Sequence, residues 1–458
     1  MKPASHRRRR ALARGIVARL RAYGHLAFWV GGCVRDALLG REPGDYDIAT
    51  SARPEEVEAL FHHTVPVGRQ FGVILVVVRG IEFQVSTFRV EAGYRDGRRP
   101  GEVRFTNAME DARRRDLTVN GLFFDPISGT LHDWVGGRAD LEARRIRLIG
   151  DPAERLREDH LRLLRVVRFA AQLDFEVEPA TWAAVQAHAA LIRRVSAERV
   201  RDELLKIFRP PHAARGLDLL RAAGLLREVL PEVAAFETCE QSPPHHPEGT
   251  VYEHARRMLE HLPPDAGTAL IWGVLLHDVA KPVTATRDPI TGVMHFYGHE
   301  KVGEGMARQI LQRLRFPNAE IETVAALVRH HMQYKDVPQM RQATRRRLVL
   351  RPTFPLELEL HRLDSLGSHG RLDHYELMVR EAETLRQRPE LRPPLVCGHD
   401  LIALGMKPGR DLGALLAEIR ERQLQDELTS RAAALAFARE RLGLQARAEG
   451  GGTDTPAR

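Results

Sequence analysis

Two aspartates separated by a single residue, Asp45 and Asp47, are the first side chains whose spacing suits metal chemistry. Side chains at positions i and i+2 of a strand point to the same face, so a strand over Asp45–Ala49 would bring both carboxylates together. Mg²⁺ prefers such oxygen ligands, and paired Mg²⁺ ions assist phosphoryl transfer. Alone, an Asp-x-Asp pair is more typical of a turn or of a solvated strand edge, so its interpretation depends on its neighbours.

A glycine pair lies a short distance upstream. Gly31 and Gly32 precede a predicted helix start, and such a loop lets backbone N–H groups approach a phosphate closely. Arg35 adds positive charge that suits a triphosphate. Together with the aspartates and the β pattern that follows, these residues predict a nucleoside triphosphate site in which Asp45 and Asp47 are catalytic and hold Mg²⁺.

Another aspartate, Asp159, has the spacing to contact an arginine. Asp159 and Arg162 lie three residues apart on a predicted helix, where an ordinary ion pair is the usual interpretation. A carboxylate can also accept a hydrogen bond from the exocyclic amino group of cytosine or adenine while the guanidinium donates to the adjacent ring nitrogen. Uracil and guanine present the reverse pattern. The pair therefore predicts acceptance of C and A and exclusion of U and G.

Histidines and carboxylates recur in the second half of the chain. His277 and Asp278 are adjacent after an apolar run, with His254 before them and His299, His331 and Asp364 after them. A lone histidine is more often a packed side chain than a ligand, but a repeated set of imidazoles and carboxylates suits Mn, Fe, Co, Ni or Zn. Two such metals could activate water against a phosphoester.

The elements that must position these residues follow from periodicity. Gly72–Val78 and Ile81–Phe88 predict paired strands turning at Arg79-Gly80, and Ser196 predicts a helix start. The predicted domains are an α+β head with a mixed sheet, an all-α neck, a helical region that holds most of these histidines, a C-terminal helical domain and a disordered tail. Their ranges are 12–150, 151–235, 245–370, 375–446 and 447–458, and Ser242–Gly249 is predicted to be a linker or entry loop.

The charge of the chain and its cysteine content indicate which kind of partner it binds and in which cellular compartment it lies. The formal net charge is +8 with a pI near 9.7, which favours a nucleic acid as partner. Three distant cysteines form no disulfide framework, and the apolar runs are too short to span a membrane. We therefore expect a cytoplasmic protein without a membrane partner. Its oligomeric state does not follow from the sequence.

The stretch GGCVRDALLGREPGDYDIAT, residues 31–50, resembles the signature of class II tRNA nucleotidyltransferases and bacterial poly(A) polymerases, in the DNA polymerase beta-like superfamily. Matching segments at 87–89, 110–111 and 114–120 extend the resemblance over residues 28–209. It implies addition of CCA to the 3′ end of tRNA from CTP and ATP, with release of pyrophosphate. A CC-adding, A-adding or poly(A)-adding specialist stays open, and the full-length loop between Arg89 and Val103 favours an enzyme that can switch to ATP.

The resemblance also implies domain and residue roles. The neck at 151–235 would recognise the nucleotide base and bind RNA, 245–370 would be an HD domain, and the C-terminal helical domain at 375–446 would bind tRNA. Asp159 and Arg162 would read the base, with Glu158 bracing the arginine, and Asp116 would contact the ribose. The remaining nucleotide-binding residues would be Gly31, Gly32, Arg35, Arg115, Arg165 and Arg168. One position departs from the family pattern: Gln84 stands where a third carboxylate is usual, and Glu82 lies on the same strand face as a substitute.

His277-Asp278 through Lys281-Pro282 resembles the HD phosphohydrolase superfamily in its two-metal form. The implied metal ligands are His254, His277, Asp278, His299, His331 and Asp364, with phosphohydrolase activity as the implied chemistry. From another class, the chain would be chiefly an HD phosphohydrolase whose weakly active head binds RNA, and Gln84 is the feature in favour of that alternative.

Overall fold

A computed structural model describes residues 3–92, 102–242, 248–391 and 393–444. Part of the loop between Arg89 and Val103, most of the predicted linker at 242–249 and the predicted tail after residue 446 lie outside these ranges. The chain divides into two compact units: Met1–Glu240 with Thr250–Ile271 and Arg308–Ile321, and Gln241–Gly249 with Trp272–Ala307 and Glu322–Arg458.

A mixed sheet lies at the start of the first unit. Its strands are β1 (Ala27–Val30), β2 (Asp47–Thr50), β3 (Thr64–Gly68), β4 (Val73–Val78), β5 (Ile81–Thr87), β8 (Phe123–Phe124) and β9 (Leu131–His132), with β6 (Arg89–Ala92) and β7 (Glu102–Phe105) forming a separate pair. The order across the sheet is β3-β4-β5-β2-β1-β8-β9, in which β2 and β5 run parallel and the other neighbours antiparallel. The predicted β4–β5 hairpin is confirmed, with Arg79 and Gly80 at positive φ between Val78 and Ile81.

The helices of the head are α1 (Pro3–Ala22), α2 (Gly32–Leu38), α3 (Pro54–Leu60), α4 (Ala108–Arg113) and α5 (Gly137–Glu142). One face of the sheet buries aromatic side chains, because alternate strand residues point the same way. Phe28, Phe88 and Phe123 pack together there, with ring centroids 6.0–6.3 Å apart. This core fixes β1 and β2, the strands that flank the glycine pair.

Strand β2 is shorter than predicted and begins at Asp47, so Asp45 lies in the loop before it. The prediction that both aspartates lie on one strand was wrong. Its neighbour β1 ends at Val30, which pairs with Asp47, and Gly31 then turns the chain away with φ 73°. Residues before Asp47 therefore have no partner on β1.

The neck consists of short helices with a small parallel strand pair. The elements are β10 (Arg145–Ile146), α6 (Pro152–Glu158), α7 (Arg162–Leu173), β11 (Glu176–Val177), α8 (Pro179–His188), α9 (Ala197–Ile207), α10 (Ala213–Ala222), α11 (Leu226–Val229) and α12 (Pro231–Ala234). Ser196 precedes α9 as predicted. The helix predicted through Asp159 and Arg162 is broken: Asp159 leaves helical geometry and accepts a hydrogen bond from Leu161 N at 3.1 Å. Such local bonds compete with a continuous helix.

The remaining elements are α13 (Val251–Glu260), α14 (Thr268–Leu276), α15 (Lys281–Thr284), the hairpin β12 (Thr286–Arg287) and β13 (Met294–His295), α16 (His299–Arg313), α17 (Asn318–His330), α18 (Gln342–Val349), α19 (Phe354–Gly367), α20 (Asp373–Gln387), α21 (Gly398–Ala403), α22 (Arg410–Leu424) and α23 (Arg431–Arg441). In the second unit, one apolar cluster gathers around Tyr334 and Leu358 and another around Leu401 and Ile419. Within the described ranges, no helix has the length and apolar character needed to cross a membrane.

Candidate active site and metal centre

The turn after β1 brings the glycine pair to a carboxylate and a guanidinium. Gly31 has φ 73°, a conformation that favours glycine, and a Cβ at this position would lie 3.4 Å from Arg115 Nη1 and 3.9 Å from Asp47 Oδ2. Asp47 pairs with Val30 across β1 and β2, so the sheet register fixes its place. The glycine turn, Asp47 and Arg115 therefore surround one space.

The two predicted catalytic aspartates have different environments. Asp47 is partly buried, whereas the side chain of Asp45 is 84% exposed and accepts a hydrogen bond from Arg9 of α1. Burial raises the pKa of Asp47, Arg115 lowers it, and the charge of Asp45 raises it further. A divalent cation would relieve this destabilisation of the charged carboxylate. The oxygen donors thus fit a hard divalent metal.

Gln84 lies beside Asp47 in the sheet. The parallel register pairs Ile48 of β2 with Val85 of β5, which puts Gln84 at the same level as Asp47. Glu82 is two residues further away along β5, opposite Val77 of β4. Both side chains are exposed. The residue next to Asp47 in the sheet is therefore Gln84, which carries an amide. The carboxylate of Glu82 belongs to a residue two positions further along β5.

The segment Arg114–Asp116 of the head contacts the helices of the neck. Asp111 binds Arg114 at 2.7 Å and Arg115 at 3.2 Å, which fixes both guanidinium groups. Asp116 accepts hydrogen bonds from Leu117 N at 2.8 Å and from Arg165 Nε at 2.7 Å. Burial raises the pKa of Asp116, but Arg165 and the backbone bond outweigh it and hold the pKa well below its usual range. Asp116 is therefore a buried carboxylate anchoring an arginine of α7.

Three of the predicted nucleotide-binding arginines surround Phe169. The guanidinium carbons of Arg35, Arg165 and Arg168 lie 5.1, 5.5 and 4.1 Å from its ring centre. Arg168 also binds Glu203 at 3.0 Å, and burial lowers its pKa to about 10. Sequence reasoning did not identify Phe169, although it follows Arg168 directly and an aromatic ring among cations was a usable signal.

Arg35 has further polar partners. Its Nη1 donates to Asn120 Oδ1 at 2.7 Å, and its Nε donates to Asp36 Oδ1 at 2.8 Å. The guanidinium is thus oriented by groups from both α2 and the segment after Asp116. This arrangement keeps a buried positive charge near the glycine pair.

The predicted base-reading residues lie on either side of the helix break. Arg162, the first residue of α7, binds Glu158 at 2.7 Å and donates to the carbonyl oxygens of Arg155 and Arg114 at 2.7 and 3.4 Å. Asp159 instead binds Arg199 of α9 through two hydrogen bonds of 3.0 and 3.1 Å. Arg199 was not identified from the sequence, because it lies 40 residues away from its partner.

Residues of both predicted sites approach the segment Arg114–Asp116. On the head side, Arg115 lies beside Gly31 and Asp47; on the neck side, Arg155 and Arg162 donate to the backbone of Arg114. The sites on the sheet and on α7 therefore face one another across these three residues.

The second unit contains a buried group of metal-binding side chains. Ligand atoms of Asp278, His299 and His331 lie within 4.8 Å of one another. The two histidine Nε2 atoms are 3.1 Å apart. His277 Nε2 and Lys281 Nζ lie 3.1 and 2.7 Å from Asp278 Oδ2.

The electrostatics of this group suit a metal. Burial raises the pKa of Asp278, but His277 and Lys281 outweigh it and hold the pKa well below its usual range. Burial and the neighbouring His277 lower the pKa of His331 to about 3, so its imidazole is neutral at physiological pH. An ionised carboxylate with a neutral imidazole is the ligating state for a divalent metal.

Asp364 and His254 complete the set of predicted ligands. Asp364 of α19 lines a cavity of about 530 Å³ together with His277, Asp278 and His331, but it is not part of the compact group of three. His254 is buried on α13, in the first unit. Their roles as ligands stay predictions.

Comparison with known proteins identifies the family. Residues 27–147 match the poly(A) polymerase head domain, residues 174–237 match the probable RNA- and SrmB-binding site of polymerase A, and residues 246–367 match the HD domain. The A-adding tRNA nucleotidyltransferase of Deinococcus radiodurans is 36% identical over 433 residues, which cover 89% of this chain and 94% of that protein. The chain belongs to the tRNA nucleotidyltransferase and poly(A) polymerase family.

Other members of this family match over different lengths. The CCA-adding enzyme of Bacillus pumilus is 44% identical over 215 residues, so the chain spans about half the length of that relative. The solved Bacillus stearothermophilus CCA-adding enzyme in complex with CTP has a TM-score of 0.73 and 28% identity, covering 97% of this chain and 98% of that one. The resemblance inferred from the motifs and the α+β head followed by helical regions are confirmed. Family membership also indicates dependence on divalent metals.

Asp116 gives a prediction for the pH dependence of stability. We expect Asp116→Asn to lower the free energy of unfolding by roughly 1 to 3 kcal/mol near neutral pH, because it removes the buried carboxylate that pairs with the partly exposed Arg165. Since the folded pKa lies below the unfolded value of about 3.9, this contribution is complete above about pH 4 and is lost as the pH falls further. Urea denaturation of both proteins near pH 7 and pH 3 measures the effect.

The difference between the two proteins should therefore shrink at the lower pH. Glu142→Gln, which removes an exposed partner of Arg138, is the matched control and should not change the stability measurably. A difference that stays the same at both pH values would contradict the assignment.

Proposed function

We propose that this chain adds CCA to the 3′ end of tRNA, using CTP and ATP and releasing pyrophosphate. The observation that carries the proposal is the convergence of Gly31, Asp47 and the neck arginines on the segment Arg114–Asp116. Asp45 and Asp47 would hold Mg²⁺, which supplies charge neutralisation at the triphosphate. Arg35, Arg165 and Arg168 would bind the nucleotide together with the N–H groups of the glycine turn.

The reaction transfers a nucleotidyl group. The 3′ hydroxyl oxygen forms a bond to the α-phosphorus, the bond from that phosphorus to the bridging oxygen of the β-phosphate breaks, and pyrophosphate leaves. The hydroxyl proton is released to solvent. The residues of this chain orient the triphosphate and exclude incorrect bases, which is how positioning lowers the barrier of phosphoryl transfer.

Base choice is assigned to Asp159 and Arg162. Glu158 and the carbonyl of Arg155 fix the guanidinium of Arg162, and Arg199 fixes the carboxylate of Asp159. A fixed acceptor and a fixed donor penalise U and G, because each would leave buried polar groups unpaired.

A second candidate is addition of A alone to a tRNA that already ends in CC. The observation that favours it is the similarity to the A-adding relative over nearly the whole length of both chains. CCA addition is the preferred candidate, because the Asp159–Arg162 pair would accept cytosine and adenine by the same hydrogen-bond pattern.

The second unit carries a further proposed activity. We propose that Asp278, His299 and His331, with His277, His254 and Asp364, hold a divalent transition metal such as Mn, Fe, Co, Ni or Zn and hydrolyse a phosphoester. Imidazole donors favour these metals over Mg²⁺, and a bound metal would supply polarisation of the phosphoester.

Domain roles and location complete the proposal. The head at 12–150 would carry catalysis, the neck at 151–235 base recognition, the region 245–370 hydrolysis, and the helices at 375–446 would grip tRNA through phosphate contacts. A cytoplasmic location agrees with three free cysteines, two of them buried.

The first prediction from this proposal concerns nucleotide addition. With tRNA lacking its CCA end, CTP, ATP and Mg²⁺, the wild-type protein should add three nucleotides, and Asp45→Ala should reduce addition at least about 1,000-fold, because a Mg²⁺ ligand is lost. Gel separation of end-labelled tRNA measures the product.

Glu55→Ala, which alters an exposed carboxylate next to Arg69, should leave addition unchanged. Full activity of Asp45→Ala would refute the active-site assignment. Addition of one A to tRNA ending in CC, without any addition of C to the shorter tRNA, would favour the A-adding candidate.

The second prediction concerns base choice. Asp159→Ala or Arg162→Ala should reduce the preference for CTP over UTP by roughly 10- to 100-fold, since the lost penalty amounts to about 1 to 3 kcal/mol. Single-turnover incorporation of each nucleotide gives the ratio. Arg144→Gln, on an exposed ion pair with Asp174, is the control. An unchanged ratio in both variants would exclude this role for the pair.

The third prediction concerns the second unit. The purified protein should contain a transition metal and hydrolyse p-nitrophenyl phosphate or its bis ester, and His277→Ala should lose both metal and hydrolysis. Metal analysis and release of p-nitrophenol measure the two effects. Addition of nucleotides to tRNA serves as the folding control. A metal-free His277→Ala variant that hydrolyses as fast as the wild type would contradict the hydrolase proposal.

A further inference from the structure

One face of α19 lines the cavity beside the metal-binding group. His361, Asp364 and Ser365 have the spacing of a single helical face, and they line the cavity of about 530 Å³ together with Ser368, which follows the end of the helix. A space of this size accommodates a ligand as large as a nucleotide. The same cavity is bounded by His277, Asp278 and His331, so a ligand within it would lie next to the proposed metal.

His361 is a buried polar side chain without a hydrogen-bond partner. The residue is only 6% exposed, and neither Nδ1 nor Nε2 has a hydrogen-bond partner in the part of the chain that the structure describes. Burying polar atoms without partners costs free energy, so such groups in a cavity wall point to a ligand.

The ring of His361 is held in place by stacking. It stacks with Tyr334, whose ring centre is 5.3 Å away at an interplanar angle of 22°, and with His374, at 6.3 Å and 16°. Tyr334 is itself fixed by a 3.1 Å hydrogen bond from its hydroxyl to Glu357. Stacking uses the faces of rings, so the two nitrogen atoms on the edge of the imidazole stay available to a partner.

His361 is distinct from the metal-binding group. Ligand atoms of Asp278, His299 and His331 lie within 4.8 Å of one another, and His361 belongs to no such group among the described residues. A position in the same cavity but outside the ligand group suits contact with a substrate that the metal also contacts.

Two cations complete this part of the wall. Lys335 and Arg371 line the cavity and are exposed, and neither makes an ion pair with any residue in the described ranges. The carboxylate of Asp373 lies 3.5 Å from His374 Nε2, so its nearest partner is that imidazole. Lys335 and Arg371 therefore present two positive charges to the cavity.

We propose that His361, Lys335 and Arg371 form a binding subsite for the terminal phosphate of a phosphomonoester. Two unpaired cations match the two negative charges of a terminal phosphate, and the N–H group on the edge of His361 donates to one of its oxygens. A phosphodiester carries one charge and would leave one cation unmatched. The inference rests on the proposed hydrolase function and names the substrate class of that site.

The test compares phosphate binding by wild-type protein and His361→Phe. Phenylalanine retains the stacked ring and removes both nitrogen atoms. With the metal-loaded full-length protein, titration calorimetry should show that His361→Phe weakens inorganic phosphate binding at least tenfold. Lys335→Gln and Arg371→Gln should each weaken it by a similar factor. Metal content should stay at the wild-type level in all three variants.

Hydrolysis gives a second readout. For p-nitrophenyl phosphate, KM should rise at least tenfold in His361→Phe with a smaller change in kcat, whereas KM for the bis ester should change less. Arg362→Gln is the matched control, because Arg362 lies on the same helix and pairs with Glu359. It should leave phosphate binding and both KM values unchanged. His361→Asn provides a second removal of the ring if the phenylalanine variant unfolds.

The outcomes separate the two proposals. If the wild-type protein hydrolyses neither ester, the hydrolase function fails, while the phosphate titration still tests the subsite. Wild-type phosphate affinity in His361→Phe would overturn the subsite. Loss of metal from His361→Phe would also overturn it, since His361 would then be a metal ligand. An equal rise in KM for both esters would refute the preference for a monoester.

Discussion

The ion pair between the buried Asp116 and the partly exposed Arg165 is the interaction on which the first site depends. Asp116 ends the head segment that carries Arg114 and Arg115, and Arg165 lies on the first turn of α7 in the neck. Because Asp116 is buried, loss of Arg165 would leave a buried carboxylate charge uncompensated. It therefore holds the helix that presents Arg162 and Arg168 against the sheet that presents Asp47.

The break between α6 and α7 gives this arrangement its specificity. In a continuous helix, Asp159 and Arg162 would lie one turn apart and would pair with each other. The break separates them, so that Asp159 binds Arg199 and Arg162 binds Glu158. Arg199 therefore orients the carboxylate of Asp159, and Glu158 orients the guanidinium of Arg162. Both groups are then held in place to contact the edge of a base.

In the second unit, burial and neighbouring charges set the charge states of the metal-binding side chains. Asp278, His299 and His331 are almost fully buried, and burial keeps His331 neutral while His277 and Lys281 keep Asp278 charged. The same cavity is lined by His361, Lys335 and Arg371, the residues that we propose bind phosphate. A metal and a phosphate subsite in one cavity would act on one phosphoester from two sides.

Motifs in the sequence determined the family, the α+β head, the glycine pair, the Asp-x-Asp pair and the HD segment at His277-Asp278, because these depend on residue types at short separations. The β4–β5 hairpin and the start of α9 followed from local patterns for the same reason. Tertiary structure alone decided that β2 begins at Asp47, since the end of β1 at Gly31 sets the limit of pairing. It also decided that Asp159 binds Arg199 and that His361 faces a cavity without a hydrogen-bond partner. Such contacts join residues far apart in the chain, and no local periodicity specifies which distant side chain arrives beside a given carboxylate or imidazole.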